Sequence, residues 1–207
     1  MKAAGALVLA AALAACAPPR RTFTVGLSGP VPERVAAEAR RLGLEVAAVA
    51  PAGAAEESAV EGSGTASAAA LRWLAARAAA RGASGIFFRL PETPTGTDLL
   101  SFPEEWQALV RVSRELSVMR PVLERGADWK PAARAAGIES KGWRYAGRRY
   151  LLLVNASDRP APVEPERLEA WRTLFWVRAD PRESLSSCGA RRCLPARGVL
   201  WLEERLL

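Results

Sequence analysis

The chain has 207 residues, half of them hydrophobic, with 29 basic against 22 acidic residues, no histidine and a formal net charge of +7. The hydrophobic fraction excludes an intrinsically disordered chain, and the lack of histidine excludes a histidine general base and the usual histidine-containing zinc sets. The basic residues, 26 Arg and 3 Lys, are scattered along the chain instead of forming one stripe, which argues against nucleic acid and leaves a weak attraction to anionic lipid head groups or acidic glycans.

Met1-Lys2 gives a short positive start, Ala3 to Ala12 is a run of small apolar residues, and Leu13-Ala14-Ala15-Cys16 closes it. A run of this length is too short to cross a hydrocarbon core, which needs about 20 residues, and fits the apolar region of a signal peptide. The residues alone also suit an ordinary secretory signal that happens to be cut before a cysteine. The closing tetrapeptide resembles the lipobox of bacterial lipoprotein precursors. That resemblance implies removal of residues 1–15, a lipid such as palmitate on Cys16, and residues 16–21 as a tether. Ala17 in place of Asp points, by the same resemblance, to the periplasmic face of the outer membrane in a Gram-negative envelope. No second apolar run reaches membrane-spanning length, so the lipid would be the membrane contact.

From Thr22 to Glu124 the pattern alternates strand and helix. Thr22 to Leu27 reads as a strand ending at Ser28-Gly29-Pro30. Pro32 suits a first helical turn, Val31, Val35, Ala39 and Leu42 recur at helical spacing, and Gly43 ends that helix. Leu44 to Ala50 is a second strand, and Ala52 to Thr65, rich in Ala, Gly, Ser and Glu, reads as a loop. A second helix is expected from about Ala66 to Arg81, and Gly85 to Leu90 is a strand apolar on both faces. Such strands joined by helices argue for a parallel sheet covered on both sides. Pro103 opens a third helix with Trp106, Leu109, Val112, Leu116, Met119 and Leu123 along one stripe, and Pro121 is expected to kink its last turn.

Residues 126–137 read as a linker between a small α/β domain, 22–125, and a second domain, 138–207. There the pattern changes to hairpins: Trp143 to Tyr145 and Tyr150 to Val154 flank Ala146-Gly147, and Asn155 to Pro160 is a strong turn signal. Cys188 and Cys193 are expected to form a disulfide closing a hairpin loop, in a compartment that permits it, worth about 2 kcal/mol for so small a loop.

Gly142 to Tyr150, Leu151 to Ser157 and Leu194 to Leu202 resemble the small β-sandwich that follows the catalytic barrel in many glycoside hydrolases. Residues 85–123 are similar to the last strand and helix of a (β/α)8 barrel. The fold class expected is therefore α/β followed by all-β: a partial, three-unit βα barrel-like domain with a C-terminal antiparallel β-sandwich. A complete barrel needs eight units and about 250 residues. The resemblance consequently transfers no nucleophile or acid to this chain, and no catalytic residue is assigned.

Candidate ligand-binding residues come from two places. Arg89, Glu92 and Asp98 lie beyond the third strand, where α/β proteins collect ligands. Trp143 and Trp176 belong to a C-terminal group of aromatics that would stack on sugar rings if exposed, although most of that group must be core. Ser28, lacking a base, reads as a capping or turn residue. Neither a cofactor nor a metal is implied. The function expected is that of a lipid-anchored cell-envelope protein acting as a non-catalytic binding or assembly component with a glycan or envelope-protein partner. The alternative is a carbohydrate-active enzyme, degenerate or completed by a partner chain.

Overall fold

The computed structural model describes residues 23–58, 60–61, 64–65, 68–89, 103–131, 136–163, 170–174, 186–188 and 191–205. The signal segment 1–15, the tether 16–21 with Cys16, and Glu92, Asp98 and Trp176 lie outside the described residues.

Strand β1 (Thr24–Ser28) leads into helix α1 (Glu33–Arg41) and strand β2 (Glu45–Ala47). Pro32 stands at the amino end of α1, Arg40 and Arg41 complement its carboxyl-terminal dipole, and Gly43 takes the left-handed conformation (φ 78°) that turns the chain into β2. Next come β3 (Ala55–Ser58), the short antiparallel pair β4 (Val60–Glu61) and β5 (Gly64–Thr65), helix α2 (Ala68–Ala80) and β6 (Gly85–Arg89). The parallel sheet has the order β2-β1-β6-β3. A fourth strand, β3, thus joins the three expected ones. It runs parallel to β6 inside the Ala-, Gly- and Glu-rich stretch whose composition reads as a loop. Among the described residues these strands form an open sheet, not a closed barrel.

Helix α3 (Pro103–Arg125) continues through Pro121, and the chain enters β7 (Ala127–Trp129), β8 (Ile138–Tyr145) and β9 (Arg148–Asn155). β7 falls within the segment that reads as a linker, yet it pairs with β8. Gly142 permits this, because a Cβ there would lie 2.4 Å from the Trp129 ring. The β8–β9 turn is Ala146-Gly147, both at positive φ (49° and 76°), which matches the twist a two-residue hairpin requires. After β10 (Ala161–Pro162) come β11 (Trp171–Leu174), β12 (Ser186–Cys188), β13 (Arg191–Leu194) and β14 (Val199–Glu204). They complete a five-stranded sheet, β11-β14-β9-β8-β7, and a three-stranded one, β10-β13-β12. The expected disulfide joins Cys188 and Cys193 across the β12–β13 hairpin, with Cα atoms 5.8 Å apart.

Helix α2 contacts α3, the parallel strand β6 and the antiparallel strands β8, β9 and β14. Its sequence, AAALRWLAARAAA, explains how it fits: a helix buried on several sides must be apolar nearly all round, and alanines let backbones approach closely. The resulting core is continuous, running from Leu27, Ile86 and Phe88 through Leu71 to Leu152 and Trp201. The other face of the five-stranded sheet gives a second cluster, in which Leu151, Leu153 and Leu200 meet Val163 and Leu194. None of the described helices is long and apolar enough to cross a membrane.

Ala76 is 2 % exposed within α2. Ala76→Leu is therefore expected to overpack the layer and cost about 2 kcal/mol, read as a lowered urea midpoint with an unchanged slope. An equal substitution that left the midpoint unmoved would contradict the close packing of this helix.

Candidate functional site at the carboxyl end of the parallel sheet

The carboxyl ends of parallel strands gather backbone turns and side chains around a shared crevice. Here β1 ends at Ser28, β6 at Arg89 and β3 at Ser58, and these three residues stand in register across the sheet. Ser28 is fully buried and its Oγ donates to Glu56 Oε1 at 2.7 Å. Glu56 and Arg89 are exposed. Gly26 stands beside this set, and a Cβ there would lie 2.5 Å from the Phe87 ring, so Phe87 can cover that face only because β1 carries a glycine.

Of the residues singled out from sequence, Arg89 reaches this site. Ser28 does not cap α1: Pro32 occupies the cap position and no side chain bonds there. Its hydroxyl is instead bound to Glu56, a partner 28 residues away that sequence reasoning missed. The arrangement offers a carboxylate oriented by a hydroxyl and a guanidinium on an adjoining strand, a set suited to binding a polar ligand. Among the described residues no three histidine, cysteine or carboxylate side chains group as metal ligands.

Trp143 lies elsewhere. It is 3 % exposed, and its ring stacks on Trp201 at 5.8 Å in the core between α3 and the five-stranded sheet. A ring so enclosed has no face to offer a sugar. Two further tryptophans, Trp129 and Trp171, stack at 6.1 Å with the Arg149 guanidinium over both. Trp73 lies between Arg77 at 4.9 Å and Arg197 at 5.6 Å.

Three carboxylates away from this site are held by arginines. Glu203, whose side chain is 5 % exposed, accepts from Arg148 Nη1 at 2.6 Å, from Tyr150 Oη at 3.1 Å and from Arg172. Glu139 joins β8 to α2 through Arg77 Nε at 3.1 Å and Arg81 Nη2 at 2.8 Å. Glu115 joins α3 to α2 through Arg72 Nε at 2.7 Å. The signal for Glu203 is present in the sequence: it follows Val199 and Trp201 at two-residue spacing and so shares their buried face of β14.

Burial raises the pKa of Glu203, but the hydrogen bonds from Arg148, Arg172 and Tyr150 outweigh it and hold the carboxyl below its ordinary 4.5. Glu139 behaves alike, burial being outweighed by Arg81 and Arg77. A carboxylate held in this way stays ionised and is a poor proton donor near neutrality. Because both folded-state values are depressed, the stability they contribute is complete above the unfolded value near 4.5 and is lost as pH falls through the folded values. The melting temperature is expected to hold from neutrality down to about pH 5 and to decline below that. Glu203→Gln should melt lower at neutrality and show a shallower acid limb in scanning calorimetry. An unchanged acid limb would exclude Glu203 as a source of acid sensitivity.

No protein-family model matches the chain, and no curated protein matches it either. Solved structures do. Amy13B of Eubacterium rectale is 22% identical, with 56% of this chain and 24% of that chain covered and a TM-score of 0.40. An alpha-fucosidase of Thermotoga maritima is 17% identical, with 75% and 40% covered and a TM-score of 0.35. An alpha-amylase of Anoxybacillus is 13% identical, with 67% and 33% covered and a TM-score of 0.37. These neighbours are glycoside hydrolases, and this chain spans between 24% and 40% of their lengths. At such scores the likeness is one of partial shape and carries nothing about activity.

Proposed function

We propose that the chain is a lipid-anchored protein of the cell envelope that acts as a non-catalytic binding or assembly component. The observation that carries this reading is Leu13-Ala14-Ala15-Cys16, placed after a short apolar run and seven residues before Phe23, where the described fold begins. The arginine-held state of Glu203 and Glu139 fits a structural part for these two carboxylates. The finer architecture belongs to the same reading. The second apolar cluster supports treating the two antiparallel sheets as a small β-sandwich of the kind that follows a hydrolase barrel.

The test is expression in a bacterial host with a palmitate analogue that can be detected on the protein. Wild-type chain is expected to take up label and fractionate with membranes, and Cys16→Ser to lose the label. Label on the Cys16→Ser variant, or none on wild type, would remove the lipid anchor. A second reading, a carbohydrate-active enzyme, rests on Ser28, Glu56 and Arg89 at the carboxyl ends of the strands. A glycan-array screen coupled to a hydrolysis assay separates the two: turnover abolished by Glu56→Gln would replace the non-catalytic reading, and binding without turnover would support it.

A further inference from the structure

The first described residue is fastened to the end of α3. The backbone N–H of Phe23 donates to Glu124 Oε1 at 3.1 Å, and the same oxygen accepts from Arg120 Nε at 3.0 Å. Six residues separate Phe23 from Cys16, and the seven Cα–Cα steps between them span at most about 25 Å. A lipid on Cys16 would therefore keep the carboxyl end of α3 within about that distance of a bilayer surface.

Helix α3 has a side suited to such a surface. Gln107, Arg111, Arg114, Val118, Pro121 and Arg125 follow one another at alternating spacings of four and three, share one face, and are all exposed. The opposite face, with Leu109, Val112, Leu116 and Met119, is buried in the core. Towards the amino end the stripe meets the exposed Glu104, but from Gln107 to Arg125 it contains no carboxylate, and none of its three arginines pairs with one among the described residues. Val118 at its centre is 66% exposed.

We propose that this face of α3 docks on the anionic lipid head groups of the membrane that holds the chain. Arg111, Arg114 and Arg125 stand over phosphates, and Val118 and Pro121 rest against the edge of the acyl layer. The orientation part rests on the lipid-anchored reading. The affinity of the face for anionic lipid does not, which allows the two to be tested apart. The tether favours a lipid surface over a soluble polyanion, because it brings that surface within reach of this end of the helix.

The experiment uses the chain from Ala17 onward, which has no lipid and contains every described residue. It is co-sedimented with vesicles of phosphatidylglycerol mixed into phosphatidylcholine, and with phosphatidylcholine alone. Binding is expected to the anionic vesicles only, and to weaken with salt. The triple variant Arg111→Gln, Arg114→Gln, Arg125→Gln should bind about 100-fold more weakly, at about 1 kcal/mol per basic residue near the surface. The corresponding triple Lys variant should retain most of the binding, which excludes misfolding as the cause. A control triple with the same charge loss, Arg144→Gln, Arg159→Gln, Arg205→Gln, should change binding by less than about 5-fold. Failure of wild type to bind anionic vesicles, equal losses in both Gln triples, or retention on heparin without vesicle binding would each overturn the proposal. The mass of the mature N-terminal peptide tests the lipid itself, and its result does not depend on these measurements.

Discussion

Trp201→Ala is expected to destabilise the protein by about 4 kcal/mol, the cost typical of removing a large buried aromatic. Trp201 is 1 % exposed on β14, its ring stacks on Trp143, and it belongs to the cluster that α2 and α3 close over. Alanine removes the transferred area and leaves a cavity lined by side chains from three elements, which cannot all move in to fill it. Trp201→Phe keeps much of the ring and should cost about 1.5 kcal/mol. Chemical denaturation reads both: the alanine variant should lose most of its midpoint and the phenylalanine variant a fraction of it. Equal costs for the two would contradict the cavity account, since phenylalanine keeps much of the volume that alanine removes.

Asn155→Ala should cost about 3 kcal/mol, since a buried acceptor left unpaired costs about 1–3 kcal/mol and more than one is involved. Asn155 is fully buried at the end of β9. Its Nδ2 donates to the carbonyls of Arg159, Leu194 and Pro195 at 2.7, 3.0 and 2.8 Å. Its Oδ1 accepts from the N–H of Ser157 at 3.0 Å and from the Ser157 Oγ at 2.7 Å. Its own carbonyl accepts from Trp73 Nε1 at 2.8 Å, which ties α2 to the same corner. The amide is thus needed as both donor and acceptor. Asn155→Asp turns the donor into an anion facing carbonyl oxygens, so it should be at least as damaging as alanine at neutral pH. A mild effect of Asp would mean the site tolerates any side chain of that shape.

These two residues mark how far local sequence reaches. Asn155-Ala156-Ser157-Asp158 is legible as a turn, and Trp201 as part of an apolar strand, because both signals are local. α1, α3 and the β8–β9 hairpin are legible for the same reason, from apolar spacing and turn residues, while α2, β1 and β6 are legible as apolar runs of helix or strand length punctuated by glycine. β3 is not, since Ala55-Glu56-Glu57-Ser58 has no apolar alternation. It becomes a strand by pairing with β6, an edge position that needs little burial. β7 hides in a stretch rich in glycine and proline and is fixed by Trp129 against Gly142. The candidate site is less legible still. Ser28 and Glu56 look like a turn residue and a solvated loop residue until the strand order β1-β6-β3 brings them together. The aromatic content of the C-terminal half is visible, but composition does not distinguish a ring in the core, such as Trp143, from one in solvent.

The clasp between Phe23 and Glu124 also determines where a mechanical load would enter. β1 is an inner strand with parallel partners on both sides, β2 and β6. Traction applied to the N-terminal segment along the axis of β1 must first open the clasp and then slide this strand past two ladders of hydrogen bonds loaded simultaneously. An edge strand would peel away bond by bond. If the N-terminal segment carries the anchor as proposed, load therefore enters the parallel sheet by shear along β1 and not by peeling.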